Sequence, residues 1–344
     1  MAEPQILSID VGYGNTKAVW GENSADSICS KSVAPLSTID QNSLNGIGVG
    51  ALDRIQIQVN GQAYLVGPDA YLAGGSHQLD PNYVARNEYL ALLRGAMYFM
   101  NKRSAKVIRK LDCLVVGLPV SNFAAHKAVL SELARQEHII PVPLALQSTY
   151  GASITMTADK VIVMPQPMGA LRSSVASHVA GPLDPSCMNL VIDPGYNTFD
   201  WLISKGYVPD LARSGSFSGG VSQILRAVSS SAGMQLGCGM IDLVECEQAL
   251  DTGVLHANGK KYPFTQFSQV AQNAAEEVVD RFVNSLDMRR RFDNIILTGG
   301  GAKYYANAIR ARLSEYTFTV SQDSVMQNAR GFHSIGRSLF PVVV

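Results

Sequence analysis

The sequence predicts an α/β protein built from two related domains, each a mostly parallel sheet covered by helices. Three observations lead there. The chain of 344 residues is long enough for two domains of ordinary size, each burying its own core. Strand-like and helix-like segments alternate along it, the pattern of parallel strands joined by helical crossovers. A short strand–turn–strand segment occurs twice, at domain-scale separation.

The composition is that of a globular protein: 47% hydrophobic and 16% charged residues. The formal net charge is zero, which argues against a bulk nucleic-acid coat, since phosphate neutralisation needs excess Lys and Arg. The same neutrality permits self-association. The five cysteines include no Cys-x-x-Cys pair and read as reduced thiols, and the six histidines show no metal-ligand spacing. No signal peptide and no apolar run of membrane-spanning length are evident, so the expected location is the cytoplasm, with no membrane partner.

Taken in order, Gln5 to Asp10 reads as a strand, Gly12-Tyr13-Gly14 as a turn and Thr16 to Trp20 as a return strand. Residues 21–80, rich in Ser, Asn, Gly and Asp, read as a small inserted subdomain. Apolar spacing predicts a helix over Tyr83 to Arg103 and a buried strand over Leu111 to Leu118. A helix capped by Ser121 and a strand from Lys160 to Met164 follow. The pattern then restarts: strand Asn189 to Asp193, turn Gly195-Tyr196-Asn197, return strand Thr198 to Ser204. Helices are expected from about Gly220, and over about Phe267 to Leu286 with Thr265 as cap. The strand Asn294 to Thr298, the turn Gly299-Gly300-Gly301 and a helix over Lys303 to Glu315 come next. A strand over Tyr316 to Val320 and a helix over about Val325 to Leu339 finish the chain.

The chemistry lies in the repeated segment. Ile9-Asp10-Val11-Gly12-Tyr13-Gly14-Asn15-Thr16-Lys17 and Ile192-Asp193-Pro194-Gly195-Tyr196-Asn197-Thr198-Phe199-Asp200 place their first aspartates 183 residues apart (193 minus 10). An aspartate at a strand end can hold a hydrated Mg²⁺ or orient a water, because hard oxygen ligands suit Mg²⁺. Asp10 and Asp193 are therefore the candidate metal residues, acting through water. The glycine two positions on lets backbone approach a phosphate and take positive φ, and backbone N–H groups in such a turn can cradle an anion. Asn15, Thr16, Asn197 and Thr198 add donors, and Lys17 adds a point charge. Gly299-Gly300-Gly301 offers bare backbone against which a base or sugar can lie, and Gly219-Gly220 can present helix N-terminal amides to phosphate. Competing signatures are missing: there is no P-loop, and Gly12-x-Gly14 runs into a strand and opens no helix. The basic residues Lys102, Arg103, Lys106, Arg109 and Lys110, and Arg289-Arg290-Arg291, read first as solvated helix ends.

Together these segments resemble the actin, sugar-kinase and heat-shock-ATPase superfamily: Asp10 to Lys17 its first phosphate motif, Asp193 to Asp200 its second, Thr298 to Ala302 its adenosine motif. Val161-Ile162-Val163-Met164-Pro165-Gln166-Pro167 and Asn328-Ala329-Arg330-Gly331-Phe332 resemble its two connecting segments. Within it, Val115-Val116-Gly117-Leu118-Pro119-Val120-Ser121 and the compact length resemble the bacterial plasmid-segregation actins, the ParM/StbA family. The resemblance implies two RNase H-like domains with a nucleotide cleft between them. One would be 1–165, carrying the insert 21–80, with the helix 325–344 packing back on it. The other would be 166–324, with an insert at 216–290. It implies an ATPase using ATP (or GTP) and Mg²⁺, with Gln166, Asp193 and Asp10 catalytic. The nucleotide would be held by Gly12, Tyr13, Gly14, Asn15, Thr16, Lys17, Gly195, Tyr196, Asn197, Thr198, Gly219, Gly220, Gly299, Gly300, Gly301 and Asn328. Gln166 stands where the family positions the attacking water; a neutral amide orients water but is a poor base, so turnover should be slow. Pro194 departs from the pattern by removing one backbone N–H. The implied partners are further copies of the chain, in a head-to-tail filament, and a small DNA-binding adaptor through which plasmid copies are segregated. The chain itself would not read DNA sequence. A non-polymerising switch ATPase or a small-molecule kinase is the alternative; Gln166, in place of the aspartate such a kinase uses, disfavours the kinase.

Overall fold

A computed structural model describes residues 3–37, 52–75, 80, 82–176, 184–286, 291–321 and 323–340. The chain divides into two compact units, Met1–Pro182 with Val325–Val344, and Leu183–Ser324. Among the described residues no helix is long and apolar enough to cross a membrane.

The first unit contains β1 (Ile6–Val11), β2 (Asn15–Val19), β3 (Ser27–Lys31), β4 (Ile55–Val59), β5 (Gln62–Val66), α1 (Asn87–Ser104), β6 (Lys110–Leu118), α2 (Val120–Arg135), β7 (His138–Pro141), α3 (Gln147–Tyr150), β8 (Ser153–Pro165) and α4 (Gln166–Ala176). The final helix of the chain, Gln327–Ser338, joins them. Its main sheet has the order β3-β2-β1-β6-β8-β7, with β1, β6 and β8 parallel. All six residues of β1 are buried, as a central strand covered on both faces requires. The remaining hairpin, β4–β5, forms its own small sheet. Sequence composition assigns all of 21–80 to an insert; β3, however, belongs to the main sheet, paired with β2.

The second unit contains β9 (Met188–Pro194), β10 (Thr198–Lys205), β11 (Val208–Pro209), β12 (Gly215–Ser218), α5 (Val221–Leu236), α6 (Leu243–Thr252), β13 (Val254–Ala257), β14 (Lys260–Pro263), α7 (Ser268–Ser285), β15 (Asn294–Leu297), α8 (Ala302–Arg312) and β16 (Phe318–Val320). The final helix is α9. The sheet order is β11-β10-β9-β15-β16, with β12 also on β10 and β9, β15 and β16 parallel. The central strand of each unit is thus flanked by its own hairpin partner on one side and a parallel strand on the other. The duplication legible in two short motifs extends to the topology of whole sheets. Helix α7 presents Ala271, Ala275, Val278, Val279 and Phe282 to this unit's core. It begins at Ser268, whose hydroxyl donates to the Thr265 carbonyl, so Thr265 stands outside the helix as an acceptor. Similarly α2 begins at Val120, preceded by Pro119, one residue before the expected cap Ser121.

Sequence patterning divides the chain at 165/166. In the structure α4 stays with the first unit because it packs on α9 through two glycines. A Cβ on Gly331 would collide with the Gly169 carbonyl oxygen, and one on Gly169 would collide with the backbone of Asn328. The helices therefore meet backbone to backbone. Gln327 Nε2 donates to Ser174 Oγ at 2.6 Å across the same contact, buried. The Ser8 hydroxyl donates to the Ala329 carbonyl at 2.7 Å, tying α9 to β1.

Candidate functional site

In the first unit β1 turns into β2 with Asp10 opposite Lys17 and Val11 opposite Thr16. The turn closes by Gly12 N–H donating to the Asn15 carbonyl at 3.1 Å. Asp10 is fully buried. Its Oδ2 accepts from Lys17 Nζ at 2.9 Å and its Oδ1 from Gln166 Nε2 at 2.6 Å. An ionised carboxylate only accepts, so the amide nitrogen of Gln166 must face it, and the amide oxygen is left for another donor. Gln166 is the first residue of α4, directly after the end of β8. Gly117 on β6 makes room for it: a Cβ there would lie 3.1 Å from Gln166 Cγ and 2.5 Å from the Phe332 ring. The Asp10 charge is felt further in, where the buried Tyr89 phenol is pushed up, first by burial and then by that carboxylate.

Two expected ligands turn their side chains elsewhere. Thr16 Oγ1 bonds Ser32 Oγ at 2.9 Å, and the Tyr13 ring packs on Tyr83 with its hydroxyl near Asn122. Tyr83 in turn donates to the Val11 carbonyl at 2.7 Å. Tyr13 and Thr16 thus brace the turn, and what they can offer a ligand is backbone. Lys17, expected as a phosphate cation, is here the ion-pair partner of Asp10.

The second unit repeats the turn. Asp193 faces Asp200, Pro194 faces Phe199, and Gly195 N–H donates to the Thr198 carbonyl at 2.8 Å. The register matches the first unit position for position. Neither Gly12 nor Gly195 has positive φ, contrary to the sequence expectation; their glycines serve close approach across the turn. Gly14 and Asn197 occupy equivalent places at the two tips. Neither backbone N–H has a hydrogen-bond partner among the described residues. Amides left open at a turn are what an anion requires.

The glycine pairs near this second turn are explained by packing. Gly219 and Gly220 N–H both donate to the Asn197 carbonyl, at 3.1 and 3.0 Å; Val221 N–H goes to Gly195 O and Ser222 N–H to Tyr196 O. The turn's carbonyls therefore cap α5, and the expected anion site on its N-terminus is already occupied by backbone. Gly299 has φ of 85°, and a Cβ there would collide with Asp193 Oδ1 and approach the Pro194 carbonyl to 2.7 Å. Gly301 N–H donates to Pro194 O at 2.8 Å. Pro194, which costs the turn a donor, supplies this acceptor. Of the three glycines only Gly300 faces open space. Tyr196 is half-buried, its phenol pushed up by burial and then by Glu247. Asn328 sits in α9, in the first unit, against Gly169.

The residues fit the expected groups. Asp10 and Asp193 are buried carboxylates at strand ends, and no cluster of three or more metal-ligating side chains exists among the described residues. Mg²⁺ bound with nucleotide suits a buried carboxylate of this kind in either unit, since it keeps most of its waters and takes one or two carboxylates. Sequence reasoning gave no site role to Ser32, Tyr83 or Gly117: each acts on a site residue distant in sequence, which no local motif records. Of the basic cluster, Lys102 and Arg103 lie in the last turn of α1, where Lys102 pairs with Asp53 and Arg103 reaches the Ser27 carbonyl, while Lys110 opens β6 and pairs with Asp159. Arg289 and Arg290 lie outside the described residues.

Two sheets of matching topology, each with an Asp-x-Gly turn at the end of its central strand, define an actin-like protein. Residues 8–169 match the family described as actin like proteins N terminal domain, and residues 191–311 match the archaeal actin homologue MreB-like C-terminal family. The chain belongs to the actin-like superfamily. Among solved structures it is similar to Ta0583, an archaeal actin homologue crystallised natively, at 17% identity, TM-score 0.75, covering 97% of this chain and 99% of that one. An apo psk41 ParM protein matches at 17% identity and TM-score 0.68, covering 98% of each chain. A 15-stranded ParM filament from Clostridium botulinum matches at 18% identity and TM-score 0.71, covering 98% of this chain and 100% of that one. A search of curated protein sequences gives no match.

Proposed function

We propose that this chain binds and slowly hydrolyses ATP (or GTP) with Mg²⁺, assembles head to tail into a filament, and segregates plasmid DNA through a small DNA-bound adaptor. The observation that carries the nucleotide reading is the duplicated turn: two buried aspartates in matching register, each followed by an uncommitted tip amide, at Gly14 and Asn197. The tip amides would take phosphate oxygens, and Asp10 and Asp193 are the carboxylates that would hold a nucleotide-bound Mg²⁺ through water. Bound Mg²⁺ supplies charge neutralisation at the phosphates. Gln166, its amide nitrogen fixed on Asp10, directs its carbonyl oxygen to orient the attacking water, and as a neutral group removes the proton poorly. Asp10 is held in place by Lys17 and Gln166.

Support for assembly comes from the fold's relatives, two of which are described as filament structures. A heterologous contact that does not close on itself gives an open filament. The adaptor rests on the family resemblance and on the zero net charge, which gives the chain no bulk affinity for DNA. The test of the nucleotide reading is equilibrium binding of labelled ATP with and without Mg²⁺, with phosphate release followed in parallel. Mg²⁺-dependent binding, weakened in Asp193→Ala, is expected; no binding at about 1 mM ATP overturns the reading.

A further inference from the structure

The first unit has a second concavity, at the end of β1 away from the Asp10 turn. Its volume is about 540 Å³. It is walled by the start of β1, the turn after β2, the end of α1 and the face of α9 that carries His333 and Arg337. All of these belong to one unit. The nucleotide reading makes no use of it.

The carboxylates have partners: Glu3 and Glu22 meet Arg337 at 3.4 and 3.1 Å, and Asp26 Oδ2 accepts from the Asn23 side chain at 3.0 Å. Among the groups left over are donors. Trp20 lines the cavity, and its Nε1 is buried with no partner; an indole N–H can only donate. His333 is 6% exposed and lines the same cavity, and neither ring nitrogen is hydrogen-bonded to any described residue. Burial, and then the neighbouring Arg337, push its pKa down to about 4, against the opposing pull of Glu22 and Asp26. It is therefore a neutral imidazole at neutral pH, with one N–H to donate and one ring nitrogen that accepts. Lys106 stands exposed on the wall and forms no ion pair with any described residue. Trp20 Nε1 is a buried donor without a partner, which costs about 1–3 kcal/mol, and it points to something that accepts. The floor is apolar, from Ile6, Met100 and Ile108.

We infer that this cavity is a binding site for a small organic acid, whose carboxylate accepts from the unpaired donors Trp20, His333 and Lys106 while its apolar body rests on Ile6, Met100 and Ile108. The volume is within the range of small-molecule sites. The surface pairs of Arg337 with Glu3 and Glu22 are weak, being largely exposed on the glutamate side, so the rim can rearrange around a ligand.

Benzoate is the probe, with benzyl alcohol as its uncharged counterpart. Binding is read by saturation-transfer NMR on the unaltered chain, and by Trp20 fluorescence in a Trp201→Phe background, which leaves Trp20 the single tryptophan. Saturable benzoate binding at or below about 1 mM is expected. Benzyl alcohol should bind at least about tenfold more weakly, and Lys106→Gln, an exposed change that leaves the fold alone, should weaken benzoate about five- to tenfold, the scale of one charge-assisted hydrogen bond. His333→Phe should abolish it. Non-saturable binding, equal binding of benzyl alcohol, or an unchanged affinity in Lys106→Gln overturns the inference. None of these results bears on ATP binding at the Asp10 and Asp193 turns.

Discussion

Replacing Gln166 by glutamate tests the arrangement around Asp10 through one atom. The amide nitrogen of Gln166 lies 2.6 Å from Asp10 Oδ1 and is its donor. Gln166→Glu puts a second carboxylate there, where it is 8% exposed. With both ionised, repulsion at that distance is about 6 kcal/mol at an effective dielectric near 20. Taking up a proton costs less: about 1.4 kcal/mol per pH unit above the normal glutamate value near 4.3, so about 4 kcal/mol at pH 7.5 and about 1 at pH 5. Protonation therefore wins and sets the loss. The introduced group has its folded pKa raised, so the unfolded state holds fewer protons and stability falls as pH rises above 4.3. The assay is urea unfolding at pH 5 and pH 7.5 in the Trp201→Phe background, where Trp20 reports on the first unit. The variant should lose about 3 kcal/mol more than its parent at the higher pH. Gln166→Met removes the donor without adding charge and should lose about 1–3 kcal/mol at both. Equal losses for Gln166→Glu at the two pH values would refute the Asp10–Gln166 contact.

Three further outcomes follow from the same geometry. Gly331→Ala drives a methyl into the Gly169 carbonyl and should destabilise the first unit by at least about 1–3 kcal/mol in thermal unfolding, whereas an unchanged midpoint would mean that α4 and α9 are not in backbone contact. Gly299→Ala is strained by its φ of 85° and collides with Asp193, so ATP affinity measured by equilibrium dialysis should fall about tenfold or more, and wild-type affinity would separate this turn from the nucleotide. His138 and His333 are both pushed by burial down to about 4, below the unfolded value near 6.5. Each is held neutral in the fold, so its contribution is complete above pH 6.5 and is lost as pH falls from 6.5 to 4, up to about 3 kcal/mol apiece. His138→Phe should flatten part of that acid slope in melting curves taken from pH 7.5 to 4, and an unaltered slope would show that His138 is not held neutral.

The architecture was legible because it is written in local periodicity. Gln5 to Asp10 and Asn189 to Asp193 are largely apolar runs that end in polar turns, Leu111 to Leu118 is one closed by Pro119, and the repeat of Asp-x-Gly at 10 and 193 announced two halves. What the glycines do was not legible. A Gly-Gly before a helix reads as an anion site, yet Gly219 and Gly220 point their amides at Asn197, a fact of tertiary packing. Gly299 and Gly301 exist because β9 passes beneath them, and Gly169 and Gly331 because two helices distant in sequence cross there. The helix over Gln166–Ala176 has no counterpart in the sequence reading, which ends a strand at Met164 and resumes at Asn189; Pro167 sits in its first turn, where a missing N–H costs little. Motif spacing located the turns; which side chains face a ligand, and which brace the turn as Thr16 and Tyr13 do, depended on partners such as Ser32 and Tyr83 that only the folded sheet brings near.

The central claim is that nucleotide state controls assembly. Its most direct test is right-angle light scattering with pelleting, using ATP and Mg²⁺, ADP, or a slowly hydrolysed ATP analogue, with phosphate release recorded on the same samples. The account predicts assembly with ATP or the analogue, decay of scattering as phosphate appears from ATP, persistence with the analogue, and altered turnover in Asp193→Ala. Phosphate release with no assembly across a wide range of protein concentration would contradict it and would indicate an ATPase that works as a single switch.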